Sequence, residues 1–426
     1  MTTAIINLWN KRVGAVLWDE NSQLASFEYD PDFISEDLDI APLKMPLGTR
    51  GRIYSFPELA RNNTFKGLPG LLADILPDKY GNALINAWLV ANGRRADSMN
   101  PVEMLCFVGK RGMGALEFEP ATADTADRVT KIEIEGLVHI AGKILQGRQD
   151  FLVDMNADEQ KALMNILRIG TSAGGARAKA LIAYNEQTRE VRSGQAKAPE
   201  GFAHWLIKFD GVHDSQFGAT YGFGRVEYAY HLMAVASGIE MTECRLLEEN
   251  DRAHFMTKRF DRTPDKLHVQ TWCAIEHFDF NNVGLYSYEQ LFQTMRALRL
   301  PYPEAEQLFR RMVFNVMARN CDDHAKNFAF IMDKKGEWTL SPAYDVCHAY
   351  RPGSVWVSTQ SLMVNGKRDG IIGADLLEVA RRMNIKSADS IIKEIQEKVD
   401  HWEVYADRAK VSEKLKEGIK STLLKL

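Results

Sequence analysis

The sequence predicts an α+β protein, and three observations support this fold class. The first thirty residues contain short apolar and aromatic runs that are typical of β-strands. A region of mixed strands and helices follows, and beyond Tyr286 the pattern is mainly helical. Strands and helices are therefore segregated along the chain, which differs from the regular alternation that builds a parallel α/β sheet.

The amino-terminal region, residues 1–120, is predicted to form a subdomain built on a β-sheet. The spacing of leucine and isoleucine becomes helical between residues 56 and 92. Residues 112–118 predict a turn that enters a strand, and the small polar residues 121–127 are the best candidate for a linker. The first three strands are predicted at residues 5–9, 13–18 and 24–29.

The second region, residues 121–262, mixes helices and strands around a loop rich in glycine and serine at residues 170–177. A helix is predicted at residues 157–167, because Asp158 and Glu159 stand in its first turn, where acidic residues are favoured. A second helix is predicted at residues 226–237 from its helical periodicity. Strands are predicted at residues 178–184, 204–209 and 253–260.

The third region, residues 263–426, is predicted to be mainly helical after a strand at residues 267–270. A short hairpin at residues 328–332 and 338–340 interrupts the helices. Near the carboxyl end, Val411, Leu415 and Ile419 form one apolar stripe, which predicts a helix that docks on the core.

Composition excludes several broad classes of protein. The 426 residues carry a net charge of -4, which does not indicate nucleic acid or an acidic lipid surface as the main partner. The basic pairs Arg94-Arg95 and Arg310-Arg311 are interpreted as solvated helix faces. Five widely spaced cysteines without a Cys-x-x-Cys motif favour a reducing compartment. Neither a secretory signal nor an apolar run of roughly 18 residues is evident, so a cytoplasmic location is expected.

The segment Asn320-Cys321-Asp322-Asp323-His324-Ala325-Lys326-Asn327 is the most informative. Asp322 and Asn327 are five residues apart, which is the spacing of Asp and Asn in the catalytic loop of protein kinases. Phosphoryl transfer needs a carboxylate to accept the hydroxyl proton and an amide oxygen to hold Mg²⁺, and one tight loop can supply both. Two alternatives remain open: an acidic turn that follows a helix, and a hydrolase metal site formed by Asp322, Asp323 and His324.

Asp345 follows Asp322 by 23 residues, in the segment Ser341-Pro342-Ala343-Tyr344-Asp345. The predicted hairpin lies between the two aspartates. A protein kinase has strands at this point, between its catalytic loop and its metal-binding aspartate. We therefore predict that Asp345 holds Mg²⁺ against the β- and γ-phosphates. The alternative is an ordinary aspartate in a turn that contains proline.

Lys208 is the predicted cation for the phosphates. It lies in the apolar strand at residues 204–209, where an unpaired ammonium group would be costly. Glu227, at the start of the next predicted helix, is its expected counter-ion, because kinases pair a lysine on a strand with a glutamate on the following helix. The alternative is a lysine whose ammonium group reaches water at the end of the strand.

The loop Gly170-Thr171-Ser172-Ala173-Gly174-Gly175-Ala176-Arg177-Ala178-Lys179 suits phosphate binding. Glycines let backbone amides approach phosphate oxygens closely, and a basic residue can close the cradle. The loop lacks the Gly-Lys-Ser/Thr of a Walker motif and the Gly-x-Gly-x-x-Gly of ordinary protein kinases, so alone it is weak evidence for a nucleotide site. The hydroxyl of Ser172 could reach a γ-phosphate, or Ser172 could simply be a small residue suited to a tight turn.

Together these segments resemble the HipA family of serine/threonine kinases, the toxin half of bacterial toxin–antitoxin pairs. The motifs that carry the resemblance are Ser-Ala-Gly-Gly-Ala-Arg-x-Lys, Lys-Phe, Lys-Arg-Phe-Asp-Arg, Asp-Asp-His-x-Lys-Asn and Pro-Ala-Tyr-Asp. The resemblance covers nearly the whole chain, including residues 65–78 and the turn Gly112-Met113-Gly114. It implies a kinase-like two-lobed fold with a HipA-type sheet subdomain at residues 1–120, an N-lobe-like region at 121–262 and a helical C-lobe at 263–426.

The resemblance also implies roles for individual residues. Asp322 corresponds to the catalytic base, and Asn327 and Asp345 correspond to metal ligands. The segment Lys258-Arg259-Phe260 corresponds to the hinge whose backbone meets adenine. Ser172 corresponds to a serine that is autophosphorylated, which expels the loop and switches the kinase off. The residues expected at the ATP site are Ser172, Ala173, Gly174, Gly175, Arg177, Lys179, Lys208, Lys258, Arg259, Phe260, His324, Lys326, Asn327, Tyr344 and Asp345.

Membership of this family would imply ATP and Mg²⁺ as cofactors and a protein substrate, in the best-known case an aminoacyl-tRNA synthetase. It would also imply a small helix-turn-helix antitoxin, and operator DNA through it, as partners, with no membrane partner. The glycine loop at residues 174–177 could mark a subclass with another target. Two other functions stay open: a phosphotransferase for small molecules and a catalytically silent scaffold that binds an antitoxin. The presence of Asp322, Asn327, Asp345 and Lys208 argues against the scaffold.

Overall fold

A computed structural model describes the protein at residues 2–48, 50–122, 132–145, 157–170, 177–194, 198–214, 218–219, 221–262 and 265–426. The chain forms two compact units, each assembled from separate segments. Unit 1 consists of Met1–Leu38, Leu47–Gly224 and Cys244–His268. Unit 2 consists of Asp39–Pro46, Arg225–Glu243 and Val269–Leu426. The division into three regions at residues 120 and 262 stays a prediction.

The first sheet of unit 1 has five antiparallel strands among the described residues, in the order β4-β3-β2-β1-β5. Ala4, Ile6 and Leu8 of the first strand are fully buried, because alternate side chains of a strand point to the same face. The predicted amino-terminal sheet, with its first three strands, is confirmed. The strands are β1 Thr2–Leu8, β2 Lys11–Asp19, β3 Leu24–Tyr29, β4 Ile53–Tyr54 and β5 Leu116–Glu119.

Helices accompany this sheet in the amino-terminal region. The helical stretch predicted at residues 56–92 is broken into short pieces, since Pro57, Pro69 and Pro77 interrupt it. The last helix of the group was not predicted from the sequence, although Asn100 caps it by accepting a hydrogen bond from the Glu103 amide at 2.9 Å. The helices are α1 Pro31–Ile34, α2 Gly70–Ala73, α3 Lys79–Ala91 and α4 Pro101–Val108.

The second sheet of unit 1 positions several predicted site residues. Its described strands are antiparallel, in the order β11-β12-β8-β6-β7, and a short hairpin of β9 and β10 stands apart from it. The register sets Lys208 of the central strand opposite Phe255 on one side and Lys179 on the other. The elements are α5 Ile134–Leu145, α6 Ala157–Gly170, β6 Lys179–Tyr184, β7 Val191–Ser193, β8 Ala203–Lys208, β9 His213–Asp214, β10 Gly218–Ala219, β11 Cys244–Glu249 and β12 Arg252–Lys258.

Unit 2 is mainly helical, as predicted, with a small sheet in the order β13-β14-β15. The hydroxyl of buried Tyr230 donates to the carbonyl oxygen of Ala318 at 2.6 Å, which joins the first helix of the unit to the end of the fourth. The predicted hairpin is confirmed as β14 and β15. The elements are α7 Phe223–Ala236, β13 His268–Thr271, α8 Trp272–Glu276, α9 Tyr288–Ala297, α10 Tyr302–Met317, β14 Ala329–Met332, β15 Trp338–Leu340, α11 Gly373–Met383, α12 Ala388–Asp400, α13 Trp402–Arg408 and α14 Glu413–Lys420.

The interpretation of Arg310-Arg311 as a solvated pair is wrong for Arg311. Arg311 lies on the buried side of α10, is 4% exposed, and donates from Nη2 to the carbonyl oxygen of Ser341 at 2.6 Å. It therefore ties the helix to the segment that follows β15. Arg310 instead pairs with the exposed Glu394 at 2.7 Å. Arg94 and Arg95 are exposed, as predicted, but they follow the end of α3 at Ala91 and do not lie on a helix face.

Two broader expectations can be compared with the described residues. The five cysteines lie in the described part of the chain and are free thiols, as expected from their spacing. No helix of these same segments combines the length and the apolar character needed to cross a membrane.

Candidate active site

The predicted catalytic loop, residues 320–327, leaves the end of α10 and precedes β14. Arg319 has a left-handed backbone with φ 55°, which turns the chain out of the helix. Within the loop, Nδ2 of Asn327 donates to the backbone carbonyl oxygen of Asp322 at 2.7 Å. This bond is the physical basis of the five-residue spacing, because it closes a compact loop around the Asp322 carboxylate, which is 47% exposed. Since Nδ2 of Asn327 is engaged, Oδ1 is the atom of this amide that could bind a cation.

The segment after β15 brings Asp345 to the same pocket as Asn327. Asp345 has a left-handed backbone with φ 53°, a conformation that aspartate tolerates better than most residues and that clusters at functional sites. The hydroxyl of Tyr344 donates to the carbonyl oxygen of Lys326 at 2.7 Å, which ties this segment to the catalytic loop. The pocket contains about 320 Å³ of space, part of it open to solvent.

The oxygen atoms of this pocket fit Mg²⁺. An amide oxygen from Asn327 and a carboxylate from Asp345 are hard ligands, and Mg²⁺ at nucleotide sites takes one or two protein ligands and completes its shell with phosphate and water. Among the described residues, no three His, Cys, Asp or Glu side chains are grouped so that they could hold a metal ion. The alternative of a hydrolase metal site formed by Asp322, Asp323 and His324 therefore gains no support from these residues.

Asp323 differs completely from its neighbour Asp322, because its side chain points into the protein and is 1% exposed. Its carboxylate accepts hydrogen bonds from the Tyr288 hydroxyl at 2.7 Å, the Ser361 amide at 2.7 Å and Nε2 of Gln360 at 3.1 Å. Burial raises the pKa of Asp323 to about 6, and these neutral donors offset only part of the effect. Through these bonds, the buried side chain of Asp323 anchors the catalytic loop to the interior of the protein.

Further bonds fasten the same loop to residues 360–361. Ser361 donates from its hydroxyl to the carbonyl oxygen of Cys321 at 2.9 Å, and Gln360 donates from Nε2 to the carbonyl oxygen of Asn320 at 3.2 Å. The Cys321 thiol contacts Oε1 of Gln360 at 2.9 Å, and burial raises the pKa of this thiol to about 12, so it stays protonated as the donor. Sequence reasoning missed this network, although the Asp322-Asp323 doublet was a signal that one carboxylate has a structural task.

His324 and Lys326 of the catalytic loop share one aromatic neighbour. The ring centres of His324 and Phe280 are 5.1 Å apart, and Nζ of Lys326 is 5.1 Å from the centre of the same Phe280 ring. Nε2 of His324 is 3.7 Å from Oδ1 of Asp322, which is too long for a hydrogen bond. Both side chains therefore pack against Phe280 beside the catalytic loop.

In unit 1, other predicted site residues lie on three adjacent strands of the second sheet. Lys208 ends β8, with Nζ 5.9 Å from the centre of the Phe255 ring, and the buried Lys179 begins β6 opposite it. Lys258 ends β12 opposite Trp205. The lysines predicted to bind phosphate and the start of the predicted hinge thus belong to one continuous piece of sheet.

The predicted hinge continues beyond β12. The Arg259 amide donates to the carbonyl oxygen of His204 at 3.0 Å, which extends the pairing with β8 by one residue. The Arg259 side chain is 4% exposed and is engaged by Asp261, so a nucleotide contact at this position would use the backbone. Phe260 is half-buried.

The roles of the remaining predicted residues stay predictions. Glu227 is buried on α7 in unit 2, whereas Lys208 belongs to unit 1, so their ion pair stays a prediction. Arg177 lies 5.1 Å from the centre of the Phe223 ring. Residues 171–176 of the glycine loop lie outside the described residues, and they include the predicted site residues Ser172, Ala173, Gly174 and Gly175.

Two sequence models of protein families match the chain. The HipA N-terminal domain matches residues 4–119, and the HipA-like C-terminal domain matches residues 171–402. The first match ends just before the predicted linker, and the second includes the glycine loop, Lys208, the catalytic loop and Asp345.

Two proteins of Sinorhizobium fredii, provisionally named as the kinases Y4mE and Y4dM, are similar to parts of the chain. Y4mE is 23% identical over 125 residues, which are 27% of this chain and 30% of Y4mE. Y4dM is 25% identical over 161 residues, which are 33% of this chain and 36% of Y4dM. The chain thus spans about a third of the length of these curated relatives.

Among solved structures, HipA of Shewanella oneidensis MR-1 has a similar fold. It was solved in a complex with HipB and its operator DNA, and it aligns with a TM-score of 0.67 at 14% sequence identity. The alignment covers 98% of this chain and 94% of the Shewanella chain. The predicted α+β, kinase-like fold class is confirmed by this likeness, which at such low identity concerns the fold alone.

Proposed function

The chain belongs to the HipA family, and on this premise we propose that it is an ATP- and Mg²⁺-dependent serine/threonine protein kinase. The observation that carries the proposal is the geometry of the catalytic loop. Asn327 is bonded to the backbone of Asp322 and lines one pocket with Asp345, while the Asp322 carboxylate stays accessible. The catalytic loop and the segment after β15 would thus supply the proton acceptor and the two oxygen ligands of the proposed reaction.

The proposed reaction assigns one task to each of these residues. Asp322 accepts the proton of a serine or threonine hydroxyl while the hydroxyl oxygen bonds to the γ-phosphorus and the bond to the ADP oxygen breaks. Asn327 and Asp345 would hold Mg²⁺, which when bound neutralises charge on the phosphates. Lys208 would orient the phosphates, and the backbone at Lys258-Arg259-Phe260 would bind adenine.

The biological partners are proposed from the family and from the Shewanella complex. Because that HipA was solved with HipB and operator DNA, we propose a small helix-turn-helix antitoxin as a partner of this chain, with DNA bound through it. The substrate is proposed to be a protein of the translation machinery, such as an aminoacyl-tRNA synthetase, whose modification would inhibit growth.

Phosphate transfer from Mg-ATP to the proteins of a cell lysate tests the proposed activity. Asp322→Asn should abolish transfer and largely spare ATP binding, because it removes the proton acceptor alone. Asp345→Asn should also weaken Mg²⁺-dependent ATP binding, because it removes a metal ligand. Asp389→Asn, an exposed aspartate at the start of α12, is the matched control and should behave as wild type. Near-normal transfer by Asp322→Asn would contradict the assignment, and label found only in small molecules would redirect it to a small-molecule kinase.

Self-inactivation at Ser172 is a separate proposal. A phosphoserine adds a charge of about -1.5 to -2. Beside the phosphates of ATP this charge would be repelled, which would favour a loop conformation unable to cradle the nucleotide. After incubation with Mg-ATP, peptide mass analysis should find phosphate on Ser172, and the affinity for ATP should be lower than before. Phosphate on another residue alone would refute the proposal at this site.

A further inference from the structure

A buried ion cluster in unit 1 joins two regions that are distant in the sequence. Its centre is Asp261, which is 0% exposed and directly follows the predicted hinge. The carboxylate accepts hydrogen bonds from Nε and Nη2 of Arg259 at 2.8 and 2.6 Å, and from Nη1 of Arg262 at 2.7 Å. A fourth bond, at 2.7 Å, comes from the backbone amide of Gly114. Three of these four bonds end on Oδ2 and one on Oδ1, so both carboxylate oxygens are engaged.

Arg262 extends the cluster to the amino-terminal sheet subdomain. Its Nη1 donates to the carbonyl oxygen of Gly114 at 2.9 Å, and its Nη2 donates to the carbonyl oxygen of Gly112 at 3.1 Å. The turn at Gly112–Gly114 is thus held through an amide and two carbonyl groups. Gly114 has φ 75°, a left-handed conformation that glycine adopts without strain, so the turn can keep these three groups facing the arginines.

The cluster sits at the place where backbone geometry would matter most for a nucleotide. The Arg259 amide still pairs with β8, and one residue later Phe260 leaves the sheet and connects directly to Asp261. Main-chain groups bind a ligand more tightly when they are already fixed in the bound geometry, because binding then costs less conformational entropy. A fully hydrogen-bonded buried cluster gives such fixation, since its members have one satisfactory arrangement.

We propose that Asp261 and Arg262 are positioning residues for nucleotide recognition. They use the Gly112–Gly114 turn of the amino-terminal subdomain to fix the backbone at the end of β12, and so they set the affinity and the base selectivity of the ATP site. This inference rests on the proposed function, since it presupposes that the hinge binds adenine. It gives the region matched by the HipA N-terminal domain a direct part in nucleotide binding.

Arg262→Lys is the decisive variant. Lysine keeps a positive charge beside Asp261 but lacks the planar fork that reaches the carbonyl groups of Gly112 and Gly114 together. The dissociation constant for ADP and the KM for ATP should each rise about tenfold, as expected for losing a hydrogen bond from a charged group. The preference for ATP over GTP should fall, and kcat should stay within about threefold of wild type, because the catalytic loop is held by the network of Asp323, Gln360 and Ser361 and not by the residues of this cluster.

Lys266→Met is the matched control. Lys266 bonds Oε1 of Glu117 at 2.7 Å and the carbonyl oxygen of Lys110 at 3.1 Å, so it joins the same two regions without touching Asp261. The nucleotide affinity and base preference of Lys266→Met should equal those of the wild type. A loss in the control as large as that in Arg262→Lys would contradict a role specific to the Asp261 cluster.

The measurements separate this inference from the proposed function. Asp261→Asn serves as a second variant, with thermal melting and circular dichroism to verify that each variant is folded. Folded Arg262→Lys that binds ADP and GDP as the wild type does would overturn the positioning role, even if its melting temperature falls, because the cluster would then be structural only. A wild-type chain that binds no adenine nucleotide would overturn the proposed function and this inference with it.

Discussion

Asp261 in unit 1 and Asp323 in unit 2 are both withdrawn from solvent, yet they occupy opposite electrostatic environments. Burial alone raises the pKa of Asp261, but the charges of Arg259 and Arg262 overcome this effect and hold the pKa well below its usual range. Among the described residues, Asp323 accepts hydrogen bonds from neutral groups and has no ion pair, and burial raises its pKa to about 6.

The difference shows that counter-charge decides the ionisation of these carboxylates more than the number of hydrogen bonds does. Asp261 accepts four bonds, and Asp323 also accepts four when the backbone hydrogen bond from Leu362 is counted with those from Tyr288, Gln360 and Ser361. Neutral donors stabilise the anion, but they do not replace the solvation that burial removes. Asp261 therefore stays ionised across the physiological pH range. Asp323, which anchors the catalytic loop, instead titrates near pH 6, at the lower end of that range.

The largest effect on stability should follow from removing the charge of Asp261. Asp261→Asn removes the negative charge that is hydrogen-bonded to both Arg259 and Arg262. The two guanidinium groups then stay buried without this counter-charge. The free energy of unfolding of unit 1 should fall by roughly 3 to 5 kcal/mol. Urea unfolding followed by tryptophan fluorescence would measure it. Asp251→Asn, in the exposed turn between β11 and β12, is the control and should cause little change. A loss no larger than the control's would contradict the buried-pair interpretation.

Titration of Asp323 should make the stability of the protein depend on pH. Because the pKa is about 6 in the folded chain and 3.8 ordinarily, the folded state binds the proton more tightly. This contribution to stability is fully present below about pH 4 and is lost as the pH rises through about 6, on the order of 3 kcal/mol in total.

Melting temperatures between pH 4.5 and 7.5 would test this dependence. Asp323→Asn carries no titratable group at this position, so the difference between wild type and variant should narrow as the pH rises. The same anchor holds the catalytic loop, so kcat should fall in the variant more than nucleotide affinity does. Melting curves of wild type and variant that shift in parallel across this range would show that Asp323 does not titrate as expected.

The smallest effect should come from an exposed counterpart of the Asp261 cluster. Glu378 on α11 accepts bonds from Nε and Nη2 of Arg381 at 2.8 and 2.7 Å and from Nε of Arg382 at 2.8 Å. The bond from Arg381, followed by that from Arg382, lowers the pKa of Glu378 to about 2. Water and salt screen such surface pairs, so Glu378→Gln should leave the melting temperature within experimental error at 0.15 M salt. A loss of stability comparable to that of Asp261→Asn would show that the two arginine partners, and not burial, determine how much removal of the carboxylate destabilises the protein.

The sequence by itself determined the elements and residues whose pattern is local. Short apolar and aromatic runs predicted β1, β2 and β3, because such side chains favour the extended conformation of a half-buried strand. The separation of Asp322 from Asn327 predicted a compact loop, and the structure closes it with one hydrogen bond. Their chemical roles, like those of Asp345 and Lys208, stay predictions.

Only the tertiary structure decided which polar residues are buried and what surrounds them. Arg311 resembles any surface arginine until Ser341, thirty residues away in the chain, supplies its acceptor. Asp323 is indistinguishable in type from Asp322, and only its contacts with Gln360 and Ser361 separate an anchor from an accessible carboxylate. Asp261 likewise depends on Gly114, which is 147 positions away in the sequence. Burial and counter-charge are properties of neighbours in space, and these neighbours come from segments whose distance along the chain carries no local pattern.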